Sequence, residues 1–296
     1  MELRVLKYYL TIASEENITK ASRILHISQP TLSRQIMQLE EELGVKLFTR
    51  SNHKIILTAD GKLFKQRAEE IITLSEKAKR DFTRDENNLT GEITIGSGEL
   101  FSFNYLAEIL QAFRQEYPLI RYDIYSGNAD QVKDRMESGL IDIGLLLEPV
   151  DIGKYEFARI PGQEIWGLLV RRDSELASKS EVCSDDLTNL PILIAKRAIL
   201  QNALSSWAGS NFEHLNIVAT YNLINNAAFM VQKNIGVALC LKRCNLFEDL
   251  CFIPLKPELT AQSVLVWKKD HLFSPATKAF LTFAKKYLLS ISIDTK

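Results

Sequence analysis

The chain is short of the residues on which much of protein chemistry depends. Its four cysteines, Cys183, Cys240, Cys244 and Cys251, fall in the C-terminal part and include no C-x-x-C pair. They read as free thiols, and no disulfide frame is expected. Four histidines, His26, His53, His214 and His271, are scattered without metal-ligand spacing, so no metal site is expected. No G-x-S-x-G, H-E-x-x-H, P-loop or Rossmann fingerprint appears, which leaves no catalytic residue and no cofactor to name. Charge of one sign is lacking too. With 36 basic against 37 acidic residues the net charge is −1, which excludes a generally basic, nucleic-acid-coating protein and confines any DNA binding to a local patch. No apolar run approaches the roughly 18 residues of a membrane span. The opening "MELRVLKYYLTIASEEN" has no uninterrupted apolar core, and Glu15 and Glu16 follow closely; the expectation is a cytoplasmic protein with no membrane partner.

What is there is an ordinary globular composition, 46% hydrophobic and 25% charged over 296 residues, long enough for two or three domains. Leu3, Leu6, Leu10 and Ala13 recur at helical spacing and predict a first helix ending near Ser14. Thr19 is the expected cap of a short second helix with Ala21, Ile24 and Leu25 inward, and "HIS" makes a tight connection. In the third segment Leu32, Ile36, Leu39 and Leu43 form one stripe stopped by Gly44. Ser28 or Gln29 caps it, and Pro30 is tolerated in a first turn whose amides lack intrahelical partners. Thr31, Arg34, Gln35 and Gln38 lie off the stripe. With Ser33 they offer hydroxyls, amides and a guanidinium, groups that match the donors and acceptors of base edges.

"VKLFTRSNHKIILTADG" then reads as two short strands around a polar tip, Ser51 to His53, a wing with Arg50, His53 and Lys54 as its positive charges. Lys20 and Arg23 add charge directed at phosphates. Glu40, Glu41 and Glu42 sit at the far end of the third helix and are expected to point away from DNA.

The stretch "LKYYLTIASEENITKASRILHISQPTLSRQIMQLEEELGVKLFTR", with "SQPTLSRQI", "LEEELGVKLF" and the closing "LTADG", resembles the winged helix–turn–helix of the LysR-type transcriptional regulators. The resemblance covers the full length and is most specific in the first 60 residues. It departs at the wing, where family members often carry an extra arginine and this chain has "SNHK". It implies double-stranded promoter DNA and a small-molecule effector as partners, RNA polymerase too if the protein is an activator, and a homodimer or homotetramer.

From Asp60 to about Asn88 the chain is charged and helical. Phe64, Ala68, Ile71, Ser75, Ala78 and Phe82 follow alternating four–three spacing, a seam that calls for a partner helix. The family uses this segment as a linker helix joining two subunits.

Beyond "NNLTGE", strand and helix patterns alternate: "EITIGS", "IRYDIYSG" and "IDIGLLLE" as strands, then "IWGLLV", "PILIA", "LNIVATYN", "IGVALCL" and "SVLVW", with helices between. This argues for parallel sheets covered by helices. The expected fold is α/β: an N-terminal winged helix–turn–helix (1–60), a long linker helix (61–88), and two lobes. Lobe I is 91–161 with 268–292 and lobe II is 162–267, the chain crossing near Pro161 and Lys268. The family resemblance likens these lobes to a periplasmic solute-binding protein with a ligand held between them.

Ligands in such sheets bind beyond the carboxyl ends of strands, at helix N-termini. The candidates are Ser97, Gly98, Glu99 and Leu100 in "GSGEL", Asn128 in "SGNADQ", Leu147 at the end of its strand, Lys196 and Arg197 in "AKRAI", and Asn222 and Asn225 in "YNLINN". Each is also an ordinary helix-capping position. Glu99 opposes an anion unless Lys196 and Arg197 offset it, so the sign of the ligand's charge stays open.

Two other readings fit these residues. One is a ligand-binding or enzymatic α/β protein with an incidental helical N-terminus. The other is a thiol-redox-sensing regulator of the same fold, since Cys240 and Cys244 stand one turn apart if their segment is helical. The family's peroxide sensors place cysteines in the loop that here reads "AKRAILQNALSSWAG", which has none. Buried spectator cysteines are the simpler account.

Overall fold

The computed structural model describes residues 1–51, 54–82, 88–196, 198–242 and 247–294. It divides into two compact units, Met1–Thr83 and Arg84–Lys296.

The first unit runs α1 (Leu3–Glu15), α2 (Ile18–Ile24), α3 (Gln29–Leu43), the antiparallel pair β1 (Phe48–Ser51) and β2 (Lys54–Leu57), and α4 (Ala59–Asp81). The inward face of α1 is Val5, Leu6, Tyr9 and Ile12, one position round from the expected stripe, and Leu3 is exposed. Tyr9 explains the rotation. Its ring lies between Phe48 and Phe64, with centroids 5.1 and 5.0 Å away, and its hydroxyl donates to Gly61 O. A large aromatic ring with a satisfied hydroxyl takes the core in place of Leu10.

The cap of α2 is Asn17, whose side-chain oxygen accepts from Lys20 N at 2.9 Å. Thr19 lies inside the helix and is not its cap, and Ile24 is half-exposed. Ser28 caps α3 by accepting from Thr31 N, while Leu32, Ile36 and Leu39 enter the core and Gly44 closes the helix at φ +70°. Gly61 has no room for a side chain: a Cβ there would stand 2.1 Å from Leu47 O.

The first four turns of α4 belong to the same core, where Ala68 is fully buried and Phe64 and Ile72 pack. The expected dimer seam is therefore corrected at its start. Phe64 and Ala68 are turned into their own domain because α1 needs a partner along that side, and α4 packs as part of this unit.

The second unit consists of two sheets. Lobe I holds β3 (Gly91–Ser97), α5 (Phe103–Glu116), β4 (Ile120–Ser126), α6 (Ala129–Glu137), β5 (Ile143–Leu147) and β6 (Tyr155–Arg159). Lobe II holds β7 (Glu164–Arg171), β8 (Pro191–Ala195), α7 (Ala198–Ala208), β9 (Asn216–Tyr221), α8 (Ile224–Gln232), β10 (Val237–Leu241), β11 (Leu250–Pro254) and β12 (Thr260–Ala261). The chain then returns to lobe I as β13 (Ser263–Lys268) and α9 (Pro275–Asp294), with Ser274 capping the helix. The strand orders are β4-β3-β5-β13-β6 and β11-β7-β10-β8-β9. In lobe I, α5 and α9 cover one face and α6 the other; in lobe II, α7 and α8 cover opposite faces.

Two expectations are corrected here. "SVLVW" is a lobe I strand, antiparallel between β5 and β6, so the return crossing lies near Gln262, not Lys268. The sheets are mixed: β3 is parallel to β4 and β5, and β8 to β9 and β10, but β13 and β7 run antiparallel to their neighbours. A strand that arrives from the other lobe needs no helical crossover, so nothing requires it to be parallel.

The crossings are fastened by side chains. Glu164, almost fully buried, accepts from Phe101 N (3.0 Å), Ser102 N (2.8 Å) and the Ser263 hydroxyl (3.3 Å). It thereby serves the start of α5, whose own cap makes no side-chain bond. Gln262 donates to Ile160 O and Gly162 O.

Candidate functional site

In the first unit, the start of α3 is built to stay wet. Ser28, Gln29, Pro30, Thr31, Arg34 and Gln38 are exposed, and Ser33 and Gln35 are half-buried. The Thr19 hydroxyl donates to the Gln29 side-chain oxygen at 3.1 Å, which ties α2 to α3 and orients that amide. Lys20, Arg23 and Lys54 are exposed alongside. Lys20 pairs with Glu15 at 2.5 Å, and Lys54 stands 4.0 Å from Glu16; such exposed pairs hold weakly and exchange readily for a phosphate. Arg50 lies on β1 opposite Ile55. His53 lies outside the described residues.

Glu40, at the far end of α3, is buried, its carboxylate accepting from Leu47 N (2.9 Å) and Phe48 N (3.3 Å) and pairing with Lys46 (2.7 Å). It closes the turn between α3 and the wing.

In the second unit, a cavity of about 130 Å³ opens between the lobes at the carboxyl ends of β3, β5, β8, β9 and β10. Gly98, Glu99, Leu100, Asn128, Leu147 and Asn222 line it as expected from the strand–helix junctions. Ser97 does not: it is buried behind the loop, its hydroxyl donating to Gly98 O. Lys196 and Asn225 are exposed and outside the lining, and Arg197 lies outside the described residues.

Trp166, Tyr221, Leu145, Leu146, Leu200 and Ile224 are also among the walls. Their signal was present as apolar residues closing strands (Leu145, Leu146, Tyr221) or opening helices (Leu200, Ile224), but it looks the same as ordinary core.

Glu99 reaches across the cleft. Its Oε2 accepts from Ile224 N, the first amide of α8, at 2.9 Å. The cap position of that helix is Leu223, which makes no side-chain bond. At the N-terminus of α6, Asn128 accepts from Asp130 N and Gln131 N while the Gln131 side chain accepts from Asn128 N, a closed capping box. The Tyr221 hydroxyl donates to Leu239 O at 2.6 Å. Burial pushes its phenol well above the ordinary range, with Cys240 and Glu99 adding to the effect, so it remains a neutral donor.

Residues 3–62 match the bacterial regulatory helix-turn-helix family of LysR type, and residues 86–289 match the LysR substrate binding domain. The chain belongs to the LysR family. It is thus a DNA-binding transcriptional regulator with an effector-binding domain. This LysR-family chain is 28% identical over 301 residues to the Hca operon transcriptional activator HcaR of Escherichia coli (strain K12), across 99% of its own length and 100% of HcaR. It is 30% identical to the HTH-type transcriptional regulator YwqM of Bacillus subtilis (strain 168), across 97% and 99% of the two chains. The fold matches the crystal structure of CbnR, a LysR family transcriptional regulator, with a TM-score of 0.77 at 21% identity over 97% of this chain and 99% of that one. CbnR solved with its target DNA matches at 0.75 and 22% identity, with the same coverage.

Cys240 is buried on the strand β10, which removes the helical premise for pairing it with Cys244, and Cys244 lies outside the described residues. Burial also pushes the Cys251 thiol up, away from the reactive thiolate. Among the described residues, no three His, Cys, Asp or Glu side chains are grouped to hold a metal, and no helix is long and apolar enough to cross a membrane.

Proposed function

We propose that the protein works in the cytoplasm as a homodimer, or a dimer of dimers, that reads a partly palindromic promoter site through the first turns of α3. Paired subunits set two such helices about 34 Å apart, on successive major grooves. A small molecule in the inter-lobe cavity prefers one arrangement of the lobes and so shifts the population of DNA-bound states; equal affinity for both would shift nothing. RNA polymerase is a further partner if the outcome is activation. The process is binding and population shift, with no bond made or broken.

The observation that carries this reading is the exposed polar start of α3. Gln29, Thr31, Arg34 and Gln38 face solvent on a helix whose opposite side is buried by Leu32, Ile36 and Leu39. Lys20, Arg23 and Lys54 flank it as phosphate contacts.

The test is in vitro selection of binding sites from random duplexes by the full-length protein, followed by affinity measurement on the selected and scrambled sequences. Arg34→Ala is expected to lose about 1–3 kcal/mol on the selected site and little on the scrambled one. Lys20→Ala should weaken both alike and reduce the salt slope by about one. Unchanged discrimination in Arg34→Ala would remove α3 as the reading helix.

A further inference from the structure

Gln29 occupies the first position of α3. Helical side chains lean back over the turn before them, and at this position α3 has no earlier turn for the side chain to rest on. The support comes from α2 instead. Thr19 lies in the first turn of α2, whose cap is Asn17, accepting from Lys20 N at 2.9 Å. The Thr19 hydroxyl is therefore not needed for capping, and it donates across the helix–turn–helix to Gln29 Oε1 at 3.1 Å.

The other polar groups on this face are held differently. The Ser28 and Thr31 hydroxyls lie 2.7 Å apart at the start of α3 itself. Among the described residues, no protein group bonds the side chains of Arg34 or Gln38. Gln29 is thus the exposed side chain of this face that a second helix holds. The consequence is chemical. A free carboxamide has a donor end and an acceptor end, and it can turn over to suit an acceptor or an amino group on a base edge. With Oε1 engaged by Thr19 that turn-over is opposed, and the two hydrogens on Nε2 are left to donate. A glutamine also loses much rotamer freedom when ordered, and less remains to be lost on binding if the side chain is already held.

We propose that Gln29 determines specificity at one base pair of each half-site, and that Thr19 is its positioning residue, acting on base discrimination through the Gln29 amide and not through a contact of its own with DNA. This rests on the reading of α3 as the helix in the major groove. Gln29 donates there to an acceptor on a base edge and disfavours an amino group at the same place. Thr19 is exposed, so its hydroxyl can be removed without disturbing the core.

Thr19→Val removes the hydroxyl and keeps the shape, Thr19→Ser keeps the hydroxyl, and Gln29→Ala removes the amide. Affinities of the full-length variants are measured by fluorescence anisotropy on the selected duplex, its single-base variants and a scrambled duplex. Gln29→Ala should flatten the preference at one base pair of each half-site, which locates the contact. Thr19→Val should lower the preference at that same pair about three- to tenfold, the range for one hydrogen bond. Affinity for the scrambled duplex and the salt slope should stay unchanged. Thr19→Ser should restore the preference, and Thr19→Val should add nothing in a Gln29→Ala background. Equal weakening of the selected and scrambled duplexes by Thr19→Val would mark Thr19 as a phosphate contact and overturn the positioning role. So would a preference that Gln29→Ala flattens and Thr19→Val leaves intact. If Gln29→Ala costs no preference at any pair, the role of Gln29 is overturned; α3 remains the reading helix in that case if Arg34→Ala still flattens a pair, and loses that role if it flattens none.

Discussion

Glu40 and Glu99 are both carboxylates whose backbone partners local sequence does not reveal, one in a run of three glutamates and one in a glycine-rich turn. Each accepts from backbone amides that no nearby residue serves: Leu47 N and Phe48 N for Glu40, Ile224 N for Glu99. Such roles depend on where the chain returns, so no local pattern announces them. Buried amides stripped of an acceptor cost about 1–3 kcal/mol each. Glu40→Ala is therefore expected to lower the stability of the first unit by at least that amount. In a unit of this size that corresponds to a fall in unfolding midpoint of about 4–8 °C for each kcal/mol, readable by thermal denaturation, with Glu41→Ala as the solvent-facing control. A midpoint shared by the two variants would show that the Glu40 bonds contribute nothing net. By contrast, Ser28, Gln29, Thr31 and Arg34 were legible from sequence, because a polar set opening an apolar-striped helix is a local pattern.

Among the elements, α4 has two apolar faces, one of which meets the core of its own unit. Its inner face, Phe64, Ala68 and Ile72, completes the core of its own domain. Its outer face carries Leu63, Ile71, Leu74 and Phe82, all exposed, at intervals that keep them on one stripe. The sequence pattern called for one seam, Phe64, Ala68, Ile71, Ser75, Ala78 and Phe82, and so took residues of the inner and the outer register together. Spacing alone does not say which stripe meets the subunit's own core. Leu74→Glu combined with Ile71→Glu should dissociate the dimer without unfolding the domain, since burying each such side chain contributes about 1.5–3 kcal/mol. Sedimentation velocity should then show a monomer where the wild type sediments as a dimer, with far-ultraviolet circular dichroism unchanged; an unshifted dimer would move the interface away from this stripe. The same limit on local pattern misplaced β13. An apolar run of Ser263 to Trp267, buried throughout, reads as a central strand in either lobe, and only its pairing with Leu145 and Ala158 assigns it. The strand Tyr155–Arg159 went unread because its alternation is short, and Leu250–Pro254 because it ends in proline.

On the scale of the whole molecule, a net charge of −1 leaves DNA binding to a local patch, and the proposed function divides the work between the polar face of α3 and the inter-lobe cleft. What joins them has to be thermodynamic coupling. The two crossings of the second unit, near Pro161 and Gln262, let the lobes act as a hinged pair, with Glu164 and Gln262 holding the hinge. A ligand touching both Glu99 on one lobe and Trp166 on the other can favour one hinge state. Whatever free energy it adds to DNA binding, DNA must return to ligand binding. If a small molecule that binds the cleft changes at saturation the affinity for the selected duplex by a given factor, on the order of 5- to 150-fold for ordinary allosteric couplings, then the duplex at saturation must change the affinity for that molecule by the same factor and sign. The first is read by fluorescence anisotropy of labelled DNA and the second by calorimetry of the complex. Matching factors greater than one, abolished together by Leu200→Trp, would establish the cleft as the regulatory site. Ligand binding with both factors equal to one would mean that the occupied cleft does not communicate with the reading helix, and control of DNA binding would have to be sought in another surface of the second unit.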